Sequence, residues 1–234
     1  MLNSTNKIFS KNENNSDYTM MVVHDLKSPT QSQINALELL CKGQFGALSS
    51  TQLSVIENIL DSCYHMKELI SNLLFDNQFD EKNLNYDYFL FSEMAKSCAL
   101  ELSYYAHKKI QQIKVIVDID EEELIFADKM MLKRAIYNLL TNAVNYSYEN
   151  TEIIMNINQS PLETSCCIKS YGKLMSEELI NKIFCYGIKG QKSLGNGFGL
   201  NIVKKIIDCH KGLVEARVEG QDCNIFEFII PNNT

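Results

Sequence analysis

Residues 24 to 29 read His-Asp-Leu-Lys-Ser-Pro, an order of side chains that describes a nucleophile. The imidazole of His24 can attack phosphorus, and the adjoining carboxylate of Asp25 can orient the ring and take its proton. Pro29 falls within a run of helical periodicity and would kink that helix just beyond the pair. A histidine alone in a helix is ordinarily structural, but Asp25, Lys27 and Pro29 turn His24 toward phosphoryl transfer. The other histidines, His65, His107 and His210, have no such company. His210 comes near the last residue of a helix, where a positive charge complements the dipole.

A nucleophile of this kind needs a phosphate source, and two later segments carry suitable residue types. In NLLTNAVNYS the side chains of Asn138, Asn142 and Asn145 are spaced i, i+4 and i+7 and therefore share one helix face. An amide oxygen can coordinate Mg²⁺ and an amide NH₂ can donate to phosphate, so this face suits a magnesium nucleotide. The plainer alternative is a solvent-facing polar stripe. GNGFGL sets Gly195, Gly197 and Gly199 two apart ahead of an apolar-periodic helix, so bare backbone N–H groups and a helix N-terminus can face phosphate. That spacing is a weak signal by itself. Lys189 and Lys192 in the preceding polar loop add charge to a lid over the phosphates, or only solubilise the loop.

The elements that must position these groups fall into two grammars. The first 18 residues are rich in Asn, Ser and Lys and read as a flexible or partly helical lead-in, with order beginning near Thr19. From Met20 to Leu40 apolar residues return at helical spacing until CKGQFGALSS breaks the pattern. Ser50 or Thr51 can cap a second helix, in which Leu53, Ile56, Leu60, Cys63, Met66, Ile70 and Leu73 step by three or four. Two helices cannot bury such seams alone, so the hairpin of residues 19–80 is expected to dimerise into a four-helix bundle. The polar stretch from Asp76 to Tyr88 ends this part. Residues 81–234 then alternate: helices at 91–109, 128–146, 176–184 and 199–210, strands at 114–119, 152–157, 166–169, 213–218 and 225–231. The fold class is α followed by α/β, a helical hairpin and then an α/β sandwich. The DIDEEE run at 118–123 reads as a solvated loop between strands rather than an ion site.

Composition narrows the partners. The chain has 234 residues, 45% hydrophobic and 22% charged, with a net charge of -7 and no Lys/Arg block, which disfavours nucleic acid and acidic membranes. No apolar leader and no apolar run of about 18 residues is present, so a cytoplasmic protein without a membrane span is expected. Eight cysteines lack CxxC spacing and read as reduced core thiols.

In this order the segments resemble the core of a two-component sensor histidine kinase: a dimerisation and phosphoacceptor hairpin followed by a GHKL-type ATP-binding domain. The resemblance covers roughly residues 17 to 231. HDLKSP is similar to the family's H box, NLLTNAVNYS to its N box, Lys182-Ile183-Phe184 to its F box and GNGFGL to its G2 box. It implies that His24 is the phosphoacceptor, Asp25 its acid/base partner and Asn142 the magnesium ligand. Asn138, Asn145 and Tyr146 would belong to the nucleotide pocket, Gly195, Gly197 and Gly199, with Leu200 after them, to the lid hinge and phosphate contacts. Ser28, four residues after His24, stands where the family positions water for dephosphorylation. The implied reaction moves phosphate from Mg-ATP to His24 and then to an aspartate of a response-regulator receiver domain. With little chain ahead of the hairpin, the sensor input would act in trans or have been removed.

One box departs from the family. Where DxGxG is expected before Phe184, the chain has Ser170-Tyr171-Gly172-Lys173-Leu174. Exchanging the adenine-binding carboxylate for the Ser170 hydroxyl removes a charge-assisted hydrogen bond of roughly 1.5 to 3 kcal/mol, about ten- to hundredfold in affinity. Leu174 adds bulk where only glycine is expected. The departure keeps two other functions open: a histidine phosphotransferase or phosphatase whose ATP site has degenerated, and a non-catalytic dimeric signalling adaptor.

Overall fold

The computed structural model describes residues 5–78, 84–119, 123–185, 187 and 199–232, with backbone alone for residues 5–20 and 72–78 and for His24, His65, Glu68 and Tyr104. The chain divides into two compact units, Met1–Asp80 and Glu81–Thr234.

The first unit is a hairpin of α1 (Thr5–Cys41) and α2 (Ser50–Gln78). The first helix reaches back to Thr5, so the lead-in is helical well ahead of Thr19. Pro29 lies inside α1, and its missing N–H leaves the Asp25 carbonyl without its helical donor. At the next residue, the buried Thr30 hydroxyl donates back one turn to the Leu26 carbonyl at 2.7 Å. Ile34, Leu60 and Cys63 form the hairpin's core, with Leu37 and Cys41 packed on it. The connection turns at Gly43 and Gly46, both at positive φ. Its far end corrects the expected cap: Ser49, rather than Ser50 or Thr51, caps α2. The Ser49 hydroxyl accepts from Gln52 N at 3.3 Å, while Gln52 Oε1 accepts from Ser49 N at 2.9 Å. A glutamine three residues on completes this reciprocal box only for Ser49.

The second unit contains β1 (Asp87–Leu90), α3 (Phe91–Lys108), β2 (Gln112–Asp118), β3 (Leu124–Ala127), α4 (Lys129–Tyr146), β4 (Glu152–Gln159) and β5 (Glu163–Tyr171). There follow α5 (Glu177–Ile180), α6 (Gly199–Cys209), β6 (Leu213–Glu219) and β7 (Cys223–Pro231). Five strands form one sheet in the order β2-β4-β5-β7-β6, in which β2 and β4 are parallel and the remaining pairs antiparallel. Helices α3, α4 and α6 cover one face, over a core that includes Leu139, Leu140, Ile153, Met155, Ile168 and Phe228. DIDEEE joins β2 to β3, with residues 120–122 outside the described residues. The helix expected over 176–184 is one turn long, capped by Ser176 and followed by a turn through Phe184. The two-stranded sheet of β1 and β3 was not expected: each strand is four residues long, too short to show a period. No helix among the described residues is long and apolar enough to cross a membrane.

Candidate nucleotide site

The site grows from α4. Asp128 caps the helix by accepting from Met131 N at 3.0 Å, and its other oxygen accepts from Asn85 N at 2.8 Å. Leu132, Ala135, Ile136, Leu139, Leu140, Ala143 and Val144 are buried. That arc fixes the rotation of the helix and leaves Asn138, Asn142 and Asn145 half-buried on the adjoining flank.

The three amides have different surroundings. Asn138 Nδ2 donates to the Gly199 carbonyl at 3.3 Å, tying α4 to the first residue of α6. Asn145 Oδ1 accepts from Lys109 Nζ at 2.9 Å and from the Tyr105 hydroxyl at 3.2 Å. Between them Asn142 has no partner among the described residues. Its amide is therefore open to a ligand, and the donor set of one amide oxygen flanked by amide NH₂ groups fits a Mg²⁺ held chiefly through nucleotide phosphates. Among the described residues no three His, Cys, Asp or Glu side chains converge as a metal cage. A Cβ added at Gly199 would make only ordinary contact, 3.8 Å from Asn138 Cγ, so packing does not demand glycine there. Leu200 is half-buried behind it. Lys189, Lys192, Gly195 and Gly197 lie outside the described residues.

Ser170 and Gly172 come from β5 and the turn after it. Side chains alternate along the strand, which puts Ser170 on the helix-covered face with Cys166 and Ile168. Ser170 stands directly opposite Asn224 of β7. The buried Asn224 amide donates to Lys173 O at 3.1 Å and accepts from Met175 N at 3.0 Å, so it holds the turn containing Leu174. Gly172 is a requirement of the fold: a Cβ there would lie 2.2 Å from the carbonyl oxygen of Tyr146. The ring of Tyr146, at the end of α4, is 44% exposed. Phe184 packs edge-on against Phe226, with ring centroids 6.4 Å apart, and its carbonyl accepts from Asn201 of α6 at 3.1 Å.

His210 departs from the sequence expectation. Its ring is fully buried, Nδ1 donates to Ile206 O at 2.8 Å and Nε2 accepts from Asp128 N at 3.0 Å. Those partners require the neutral ring, and burial holds its pKa below the usual histidine value. It is a lock between the end of α6 and the start of α4, with no charge to offer the helix dipole. Sequence reasoning also missed Lys109, Tyr105 and Asn224. An asparagine inside the apolar CNIFEF run was the one available signal.

In the first unit His24 and Asp25 follow one another in α1, and Asp25 and Ser28 are exposed. The His24 side chain lies outside the described residues. Ser28 contributes its carbonyl to the Ser32 hydroxyl at 3.0 Å.

Residues 127–234 match the family described as histidine kinase-, DNA gyrase B-, and HSP90-like ATPase. The sensor protein KdpD of Clostridium acetobutylicum is 28% identical over 217 residues, 90% of this chain and 24% of KdpD. The chain thus spans about a quarter of that relative's length. In fold it is similar to full-length ShkA in complex with AMPPNP, with a TM-score of 0.69 at 20% identity over 92% of this chain and 45% of ShkA. It is also similar to the histidine kinase ThkA in complex with the response regulator TrrA, with a TM-score of 0.61 at 21% identity over 92% of this chain and 61% of ThkA. Residues 127–234 therefore form a domain of the histidine kinase-, DNA gyrase B-, and HSP90-like ATPase family, and the chain as a whole is related to the core of two-component sensor histidine kinases.

Proposed function

We propose that the chain is a cytoplasmic protein-histidine kinase core that uses Mg-ATP, works as a homodimer and hands its phosphoryl group to a response-regulator receiver domain. The observation that carries this reading is the open amide of Asn142, flanked on α4 by an Asn138 tied to α6 and an Asn145 fixed by Lys109. Mg²⁺, when bound, offsets charge on the phosphates and orients the terminal one. Asn142 holds it through its amide oxygen, and Asn138 and Asn145 donate from NH₂ groups. Tyr146 offers a ring face for the base, with Ser170 and Gly172 beside it, where Gly172 lies against the Tyr146 carbonyl. Gly199 and Leu200 carry the hinge of the lid, to which Lys189, Lys192, Gly195 and Gly197 would add phosphate contacts.

His24 acts as the nucleophile. A new N–P bond forms as the bond between the terminal phosphorus and its bridging oxygen breaks, ADP leaves, and Asp25 takes the imidazole proton. The phosphoryl group then passes from nitrogen to an aspartate carboxylate of the receiver. Ser28 is placed in sequence to orient water for the phosphatase reaction, in which water attacks the receiver's phosphoaspartate and releases the carboxylate and inorganic phosphate. Dimerisation through the hairpin is supported by side chains that α1 and α2 leave in solvent, among them Met21 at 66% and Val55 at 53% exposure.

A second reading, a phosphotransferase or phosphatase without ATP use, is favoured by one observation. Ser170 replaces a carboxylate, and Asn224 clamps the neighbouring turn with Leu174 in it. Incubation with γ-labelled ATP and Mg²⁺ separates the two. Label should appear on wild type and be absent from His24→Gln, and Ser170→Asp should label faster. Label that reaches His24 only from a phosphorylated receiver would establish the second reading instead.

A further inference from the structure

Asn145 is held in a way that fixes which end of its amide can meet a ligand. Its Oδ1 has two donors, Lys109 Nζ at 2.9 Å and the Tyr105 hydroxyl at 3.2 Å. Rotating the amide by half a turn would set an NH₂ group against an ammonium and a hydroxyl donor, so the orientation shown is the bonded one. Both lone pairs of the oxygen are occupied, and the NH₂ group has no acceptor among the described residues. Lys109 is itself positioned. It is the C-cap residue of α3, half-buried, with its ammonium 3.5 Å from the Val144 carbonyl and 5.0 Å from the centre of the Tyr105 ring. A cation held at a helix flank over an aromatic face loses less freedom on meeting an anion than a lysine swinging in solvent.

We propose that Lys109 is a positioning residue of the nucleotide site: it fixes Asn145 as a hydrogen-bond donor toward the polyphosphate and places a positive charge beside the same group. The inference rests on the ATP-binding reading above and concerns a residue of α3, outside the helix that carries the three amides. Its ligand is the phosphate chain of a nucleoside di- or triphosphate, and the base plays no part in it.

The test compares full-length wild type, Lys109→Met and Lys109→Arg by titration calorimetry with ATP, ADP and adenosine in Mg²⁺ at two salt concentrations. Loss of one charge-assisted contact predicts ATP binding weaker by roughly ten- to hundredfold in Lys109→Met. Adenosine binding should be unchanged, the salt dependence of ATP binding shallower, and Lys109→Arg should recover most of the loss. Equal ATP affinity in folded Lys109→Met overturns the inference while leaving the ATP reading intact. Parallel loss of ATP and adenosine also overturns it, because a purely structural role would act on both. A wild type that binds none of the three sinks the ATP reading and this inference with it.

Discussion

Two glycines in the site differ in what they protect. Gly172 has the Tyr146 carbonyl where a Cβ would go, at 2.2 Å, whereas Gly199 has 3.8 Å of ordinary space. Gly172→Ala is expected to destabilise the second unit by about 1 to 3 kcal/mol, the cost of overpacking. Gly199→Ala should leave the melting temperature nearly unchanged and lower ATP affinity. Paired thermal melts and nucleotide titrations check both, and a reversed pattern would refute the assignment. His210 gives a pH dependence of defined sign. Its folded pKa is lowered by burial, so below the unfolded value of about 6.5 the unfolded chain takes up a proton that the folded one excludes. Stability of the second unit should therefore be complete above about pH 7 and fall as pH drops through 6.5 and below. In His210→Phe this His-linked component of the slope should vanish, at a cost of about 1 to 3 kcal/mol for the stranded Asp128 N–H. Neither role was legible in the sequence: a close approach and a buried ring are properties of tertiary contact. His24-Asp25 and the spacing of the three asparagines could be read directly, because helical period alone puts those residues together.

At the scale of elements, legibility followed length. Helices α3, α4 and α6 repeat their apolar positions over three or more turns, and their expected limits agree with those observed to within a residue or two. The five strands of the main sheet were also recognised, although β5 and β7 extend beyond the expected runs. The one-turn α5 and the four-residue β1 and β3 carry too little period to announce their limits. The role of Asn224 depends on register, since only the pairing of β5 with β7 sets it opposite Ser170. The start of α2 offers a direct measurement. Ser49→Ala should cost about 1 kcal/mol of hairpin stability by removing the capping hydroxyl, and Ser50→Ala only a few tenths. Chemical denaturation followed by circular dichroism distinguishes the two, and equal losses would argue against the reciprocal box.

Across the whole molecule, five of the eight thiols are buried. Cys98, Cys166, Cys167 and Cys223 are all buried, and burial pushes the Cys98 thiol up to about 11. Such thiols are neutral and slow to oxidise, so brief exposure to a mild thiol reagent should label the exposed Cys185 and spare these four in the native state. The proposed dimer is tested at the same scale. If the apolar flank of the hairpin is a subunit interface, Val55→Glu with Ile59→Glu should shift sedimentation from dimer to monomer, and a monomeric wild type would remove that proposal. The order of the main sheet bears on how the chain is born. Strand β7, last in sequence among the described elements, lies between β5 and β6 and pairs with both along its length. Until about residue 231 has left the ribosome the sheet exists only as two unjoined pieces with bare edges, while both helices of the hairpin, α1 and α2, are complete by residue 78. During synthesis, then, the hairpin proposed to carry the phosphoacceptor can fold early, and the domain proposed to bind ATP becomes stable only as its last strand slides home.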